Sequence, residues 1–372
     1  MPHEVPKLTM PSTRDFTAGL LRASGRAFAS ATLNTLHGSW PTLIDTALPS
    51  TFARPIDDIE VRIMQLAASV AVDRPVLLED ILTWYKVAFH HREVPPEYLG
   101  ATLKAIESTL RKELPSESFE LVQRHLAIAA AHLDQAPVDQ PSHLDRTAPH
   151  GETAMRFLLA NLEGRGEDAL DFVRGALRDG LPIADIQDHI LSPAQREAGR
   201  MWLMAEIPIA DEHYGTAIVE RALGLLQESV PRPKPDARVV MTMGVAGNMH
   251  DLGLRVIGQR LQLDGYAVHH LGPNMPATDF AWSLQDLKVD IIAMSASMLM
   301  HVHGVMEAVA QVRAVCAELY GDPLARPIML GGRPFGICED LHAVLGAQAG
   351  LDDVKQVTGI ANKLIQTVRS SA

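Results

Sequence analysis

Between residues 238 and 330 the apolar pattern changes period, and no other feature restricts the fold of this 372-residue chain as strongly. Short apolar runs at 238–243, 267–271, 290–294 and 327–330 alternate with longer stretches of amphipathic helical spacing. Runs of that kind fit strands covered on both faces, and strand–helix alternation joins parallel neighbours through crossover helices. Residues 237–370 are therefore expected to form an α/β domain, a Rossmann-like (flavodoxin-like) parallel sheet with helices on both sides. Ligands of such sheets lie beyond the carboxyl ends of the strands, where the strand order reverses. That directs attention to the loops at 244–249, 272–276, 295–303 and 331–334.

Upstream the period is helical. Ile56, Ile59, Ile63 and Leu66 share one face, as do Leu77, Leu78, Ile81, Leu82 and Tyr85, and five or six helices are predicted over residues 13–135. Residues 152–229 carry four such segments, broken around Gly164, Pro182 and Pro208, the pattern of a four-helix bundle. Pro-rich stretches at 136–143 and 231–236 have the composition of extended linkers. A multidomain chain follows: an all-α domain at 13–135, a helical bundle at 152–229 and the sheet domain at 237–370.

Composition narrows the partners. Asp and Glu number 45 against 33 Lys and Arg, a net charge of −12, which argues against nucleic-acid binding because counterion release needs clustered positive charge. The two cysteines, Cys316 and Cys338, make neither a disulfide framework nor a zinc-ligand pattern. Residues 1–7 lack a basic segment leading into an apolar run, and no stretch reaches membrane-spanning length without charges. A cytoplasmic protein with no membrane partner is expected.

The chemistry-bearing residues gather at the predicted strand ends. Asn248, His250, Asp251 and Gly253 follow the first strand; Ser295, Ser297 and Leu299 follow the third; Gly331 and Gly332 follow the fourth. His250 stands at a helix start, where the dipole disfavours an added positive charge and leaves an imidazole lone pair for a metal. Gly253, three residues on, leaves room beside it on the same helix face. Taken alone, a histidine at a helix start is more often a cap or a packed surface residue. Glycines at strand ends also suit a flavodoxin-like domain with another ligand or none. A dinucleotide fingerprint is missing, since Gly244 and Gly247 are not followed by a third glycine in register and no acidic residue ends the second strand. Farther upstream, Trp202 precedes Glu212 and His213 by nine intervening residues, with Pro208 between them. That places Trp202 in the last turn of one helix and Glu212 and His213 in the first turn of the next, able to converge over one spot. His301 and His303 are expected to face solvent. Met241, Met243, Met249, Met294, Met298 and Met300 cluster at the strand ends, as cofactor lining or as ordinary gap-fillers.

The order of these pieces, from about residue 155 to 364, resembles the cobalamin (vitamin B12) module of adenosylcobalamin-binding light sensors related to the CarH regulators. The resemblance implies that His250 ligates cobalt from below in a base-off, His-on mode. It also implies a slot for the displaced base past Ser295, Ser297, Leu299, Gly331 and Gly332, with Asn248, Asp251 and Gly253 around the ligand. In those sensors the equivalents of Trp202, Glu212 and His213 cover the adenosyl group. There are two departures. Asn248 stands where the family has an acidic residue, which implies weaker ligation or an easier His-off state. Leu203 stands where some of these sensors carry the histidine that ligates cobalt after photolysis, leaving His213 as a further candidate.

The region before residue 137 does not look like a winged helix-turn-helix, and the domain order is similar to that of photocobilins, in which biliverdin sits beside cobalamin. The resemblance thus implies a photoreceptor, not an enzyme, with adenosylcobalamin and non-covalent biliverdin as chromophores. No cysteine precedes residue 316 to form a thioether, and His90, His91 and Arg92 are the candidate bilin contacts. Output would pass through a homo-oligomer or a separate signalling partner protein; the helical domain read as a dimerisation bundle is the plainer alternative for it. The alternative for the whole chain is a corrinoid methyl-group carrier for a methyltransferase.

Overall fold

The computed structural model describes residues 12–43 and 54–371. The reading of residues 1–7 lies outside the described residues. Two compact units divide between Ala136 and Pro137.

Among its described residues the first unit is built of helices: α1 (Thr13–Ala23), α2 (Gly25–Ser39), α3 (Pro55–Val72), α4 (Pro75–His90), α5 (Glu97–Glu113) and α6 (Ser116–Gln135). Their starts follow local chemistry. Ser12 caps α1 by accepting from the Asp15 amide, and Pro55 and Pro75 occupy first-turn positions where a missing N–H costs no helical bond. Ile59, Ile63 and Leu66 on α3 and Leu77, Leu78 and Leu82 on α4 are buried together, as their spacing predicts. The same core holds an ion pair, Arg62 Nη2 to Asp58 Oδ1 at 2.8 Å, with the guanidinium 4.1 Å from the Tyr85 ring centroid.

His125 on α6 makes this unit sensitive to acid. Ser69 Oγ donates to the Arg74 carbonyl at 3.0 Å, so it accepts from His125 Nδ1 at 2.8 Å. Burial, and secondarily the Arg124 charge, push the imidazole down to about 4. An unfolded histidine titrates near 6.5, so between these values the unfolded chain binds more protons and stability falls as pH falls. The loss is expected to approach roughly 1.4 kcal/mol per pH unit inside that window. Urea midpoints of the full chain between pH 7 and 4.5 measure it, and His125→Gln should reduce the slope by that amount and leave the share of other buried histidines.

The second unit begins with a bundle of α7 (Gly151–Leu162), α8 (Gly166–Arg178), a composite third helix and α11 (Ile209–Gln227). The third helix is not regular: α9 (Ile183–Ile186) passes through a π turn at Gln187–Leu191 into α10 (Ser192–Leu203). Phe157, Leu170, Ile186 and Leu223 form its core. Bundle and sheet, joined by the Pro-rich stretch at 231–236, pack against each other. Leu252, Val256 and Leu263 pack on the bundle core, and Arg260 donates to Gln187 Oε1 at 2.7 Å and to the Ala184 carbonyl at 2.6 Å. Shared burial and these bonds join bundle and sheet within the compact unit of residues 137–372. Leu144, just after the first linker, also packs on the bundle.

The sheet contains β1 (Val239–Gly244), β2 (Ala267–His270), β3 (Ile291–Ser295), β4 (Ile328–Gly331) and β5 (Ala349–Leu351), all parallel, in the order β2-β1-β3-β4-β5. Crossovers run through α12 (Leu252–Leu263), α13 (Ala277–Asp286), α14 (Val302–Tyr320) and the short α15 (Arg333–Ile337) and α16 (Leu341–Val344), with α17 (Val357–Ser371) closing the chain. The fold class is the expected one: an all-α region, a helical bundle and a flavodoxin-like parallel sheet. Sequence reading missed β5, because its three residues include Gly350 and form no apolar run. Strand order reverses between β1 and β3, so their following loops bound the natural ligand position. Among the described residues no helix is long and apolar enough to cross a membrane.

Candidate functional site

Above that reversal lies a cavity of about 710 Å³ between the bundle and the sheet. His250, Asp251 and Gly253 line it from the loop after β1 and the start of α12, and Ser295, Ser297, Gly331 and Gly332 line it from the ends of β3 and β4. Glu212 and His213 close it from the first turn of α11. The cavity continues downward beside Leu254, Ile257, Ala293 and Met329, a slot between α12 and the sheet.

The hydrogen bonds around His250 determine which nitrogen faces outward. Asn248 is fully buried, and its Nδ2 donates to the Ser295 carbonyl at 2.9 Å, which turns its Oδ1 toward His250. That oxygen accepts from the His250 amide at 3.2 Å and lies 3.3 Å from His250 Nδ1. An amide oxygen only accepts, so Nδ1 carries the proton and the lone pair resides on Nε2. His250 precedes Asp251, the N-cap of α12, so it does not share a helix face with Gly253 as the spacing suggested; both reach the cavity from adjoining backbone.

Asp251 is otherwise engaged. It accepts from Arg255 Nε at 2.9 Å and lies 3.4 Å from His270 Nε2, whose pKa is lowered chiefly by burial although Asp251 opposes the shift. Gly332 is required by geometry: its φ is +110°, and a Cβ there would meet the Ala296 carbonyl oxygen at 2.1 Å. Gly253 is the opposite case, with no atom within 4 Å of an added Cβ.

On the bundle side, Glu212 Oε1 accepts from Gln195 Nε2 and from Thr216 Oγ1, each at 3.0 Å, while Oε2 lies 2.8 Å from His213 Nδ1. Gln195 and Thr216 were not anticipated, nor were Arg196, Glu220 and Arg333, which also line the cavity. A signal existed for some: Thr216 is one helical turn after Glu212, Ile257 one turn after Gly253, and Ala293 and Met329 stand two residues before Ser295 and Gly331 on the same strand face.

Three expected contacts are not in the cavity wall. Trp202 is half-buried in the last turn of α10 and does not line it. Asn248 acts behind His250, and Leu299 is 4% exposed because the 3-10 turn Leu299–His301 folds it into the core. The same turn, running directly into α14, buries His301 and His303, which were expected in solvent. His301 Nδ1 accepts from the Met298 amide at 3.3 Å, and burial, with His250 adding to it, pushes its pKa down to about 4. Of the methionines, Met249 and Met294 line the cavity while Met241 and Met243 are core.

Among the described residues no cluster of three His, Cys, Asp or Glu side chains is placed to hold a bare metal ion. A single oriented Nε2 above a deep slot suits a metal that carries its other ligands with it. His250, Asn248, Gly253 and Gly332 thus fit a corrinoid: one axial imidazole, an open glycine edge and a slot.

Comparison with known proteins agrees. Two B12 binding domain families match, one over residues 154–227 and one over 238–359. The HTH-type transcriptional repressor CarA of Myxococcus xanthus is 26% identical over 183 residues, covering 48% of this chain and 58% of the repressor. CarH of the same organism is 23% identical over 184 residues, covering 50% and 59%. The match therefore spans less than two thirds of either repressor. Dimethylamine corrinoid protein 3 of Methanosarcina acetivorans is 24% identical over 172 residues, 45% of this chain and 76% of that protein. The solved Methanosarcina barkeri monomethylamine corrinoid protein, 20% identical, has the same fold with a TM-score of 0.51, covering 58% of this chain and 100% of that one.

Cobalamin binding gives Gly253 a definite test. Gly253→Leu should leave apoprotein stability unchanged or raise it by up to about 1 kcal/mol, the helix-propensity difference from glycine. Its side chain should nevertheless fill the cavity and abolish co-elution of cobalamin. Melting of the apoprotein and gel filtration with cobalamin check both halves; normal retention would place the slot elsewhere.

Proposed function

We propose that this chain, which carries a CarH-like cobalamin-binding module, is an adenosylcobalamin-dependent light sensor and not an enzyme. The observation that carries the reading is the polar lid: Glu212, braced by Gln195 and Thr216, faces the same cavity as His250 and offers acceptors suited to an adenosyl group. When bound, the cofactor supplies a light-sensitive cobalt–carbon bond. His250 would hold the cobalt through Nε2, with Asn248 keeping the proton of that imidazole on Nδ1. Gly253, Ser295 and Gly332 would border the nucleotide tail. Glu212 on α11 would hold the adenosyl group, and without that contact the bundle would be free to shift against the sheet, changing an interface used by a second copy or a signalling partner.

A second reading, a corrinoid methyl-group carrier, is favoured by the similarity to the amine corrinoid proteins. Loading the apoprotein with adenosylcobalamin and with methylcobalamin separates the two. A sensor should retain the adenosyl form preferentially, and green light should change both its absorption and its elution volume. Equal retention, with no light-dependent change in elution, would support the carrier instead.

For the first unit the reading is a non-covalent linear tetrapyrrole, biliverdin, as second chromophore. His90 is exposed at the end of α4 with His91 next to it, ring centroids 5.2 Å apart, and Arg92 follows, a set suited to pyrrole nitrogens and propionates. Mixing the protein with biliverdin in the dark tests it: a red absorption band must co-elute with the protein.

A further inference from the structure

We propose that the core of the first unit holds one lactam end of the tetrapyrrole, on the Arg62 guanidinium and the Gln65 amide of α3. The inference rests on the biliverdin reading above and places a part of that ligand which His90, His91 and Arg92 leave unassigned. Arg62 and Gln65 stand three residues apart on one face of α3 and are 2% and 1% exposed. Among the described residues Arg62 Nη1 and both amide atoms of Gln65 reach no hydrogen-bond partner. The Tyr85 hydroxyl faces the Gln65 amide, but outside hydrogen-bond geometry. Three such atoms within one helical turn are costly, because a buried donor or acceptor left unpaired forfeits its bonds to water. A guest group that completes them accounts for their retention.

The chemistry of the guest follows from what is already neutralised. Asp58 accepts from Arg62 Nε at 3.2 Å, from Nη2 at 2.8 Å and from the Tyr98 hydroxyl at 3.4 Å. Arg62 and Asp58 together carry no net charge, so a carboxylate entering here would meet Asp58 with no further cation to offset it. The guest is therefore neutral and carries an acceptor beside a donor. A lactam has both: its carbonyl accepts from Arg62 Nη1 and Gln65 Nε2, and its N–H donates to Gln65 Oε1. The surroundings are aromatic. The guanidinium lies 4.1 Å from the Tyr85 ring centroid and 5.5 Å from that of Phe89, and the Phe89 and Tyr98 centroids are 5.8 Å apart. Such a lining suits a planar conjugated ring. Phe89 directly precedes His90 on α4, so the chain leads from this buried pair to His90, His91 and Arg92, where charged propionates keep contact with water.

Gln65→Met separates a ligand site from a packing role. The swap nearly conserves volume and removes both amide atoms, so the apoprotein should hold α3 at least as tightly as wild type. Amide exchange over Pro55–Val72 in the full-length apoprotein, followed by mass spectrometry, should be equal or slower. Biliverdin affinity, from titration of the red absorption band, should fall about 10-fold or more, the loss of two neutral hydrogen bonds, while cobalamin retention stays the same. Arg62 is left in place because its removal would strand the Asp58 carboxylate in the core. Faster exchange in α3 would show that Gln65 is satisfied within the apo fold, by a buried water, and would overturn the proposal. If wild type and Gln65→Met bind biliverdin equally, the placement falls and the biliverdin reading stands; if wild type takes up none, both fall.

Discussion

Replacing His250 with alanine is expected to leave the apoprotein folded and to weaken cobalamin retention by about 100-fold or more, with loss of the His-on absorption spectrum. The magnitude follows from graded removal. Partners that only orient a metal-bound histidine are worth roughly 10–100-fold in affinity. Asn248 is such a partner, so Asn248→Ala should fall in that range and removal of the ligand itself should lie at or beyond its top. Folding should survive because His250 sits in a loop and its one side-chain bond, to Asn248 at 3.3 Å, is long. Equilibrium dialysis against free cobalamin and the visible spectrum of what remains bound give the two numbers. An unchanged spectrum would remove His250 from the cobalt.

Gly332→Ala should produce the largest loss of stability of any substitution at the site. A residue with a Cβ at φ +110° carries strain of roughly 1–3 kcal/mol. Overpacking against a neighbour adds about 1–3 kcal/mol more. Here the neighbour is the carbonyl oxygen of Ala296, at 2.1 Å from the added carbon, and backbone cannot rotate away as a flexible side chain would. That peptide belongs to the β3–β4 junction: Ala296 N donates to the Gly331 carbonyl at 3.0 Å. A total near 4 kcal/mol, read as a lower urea midpoint, is expected even without cofactor. Gly331→Ala supplies the control, because a Cβ there meets nothing closer than the Leu351 carbonyl oxygen at 3.5 Å. Equal midpoints for the two variants would show that the backbone at 332 relaxes freely.

Much of this fold is encoded locally along the chain. A period of two or 3.6 depends on which face a residue presents, so the helices of the first unit, the four bundle segments and strands β1 to β4 could be found from apolar spacing. Strand ends then pointed to His250, Ser295, Gly331 and Gly332, since a parallel sheet offers ligands its carboxyl edge whatever its crossovers contain. The pairing of Glu212 with His213 was adjacent in sequence and needed no fold. What spacing could not supply was contact between segments distant along the chain. Gln195 and Thr216 brace Glu212 only because α10 packs beside α11, and Ser295 orients Asn248 only because β1 and β3 are hydrogen-bonded neighbours. Burial was equally invisible: His301, His303 and Leu299 turned inward because a single 3-10 turn joins β3 to α14, and Trp202, despite its suggestive spacing, stayed out of the cavity wall. Sequence alone determined which residue types stand at which strand and helix ends, because those patterns are written within one element. Only the tertiary structure decided which of them share a cavity and which nitrogen of His250 carries the proton, because both depend on side chains brought together from separate elements.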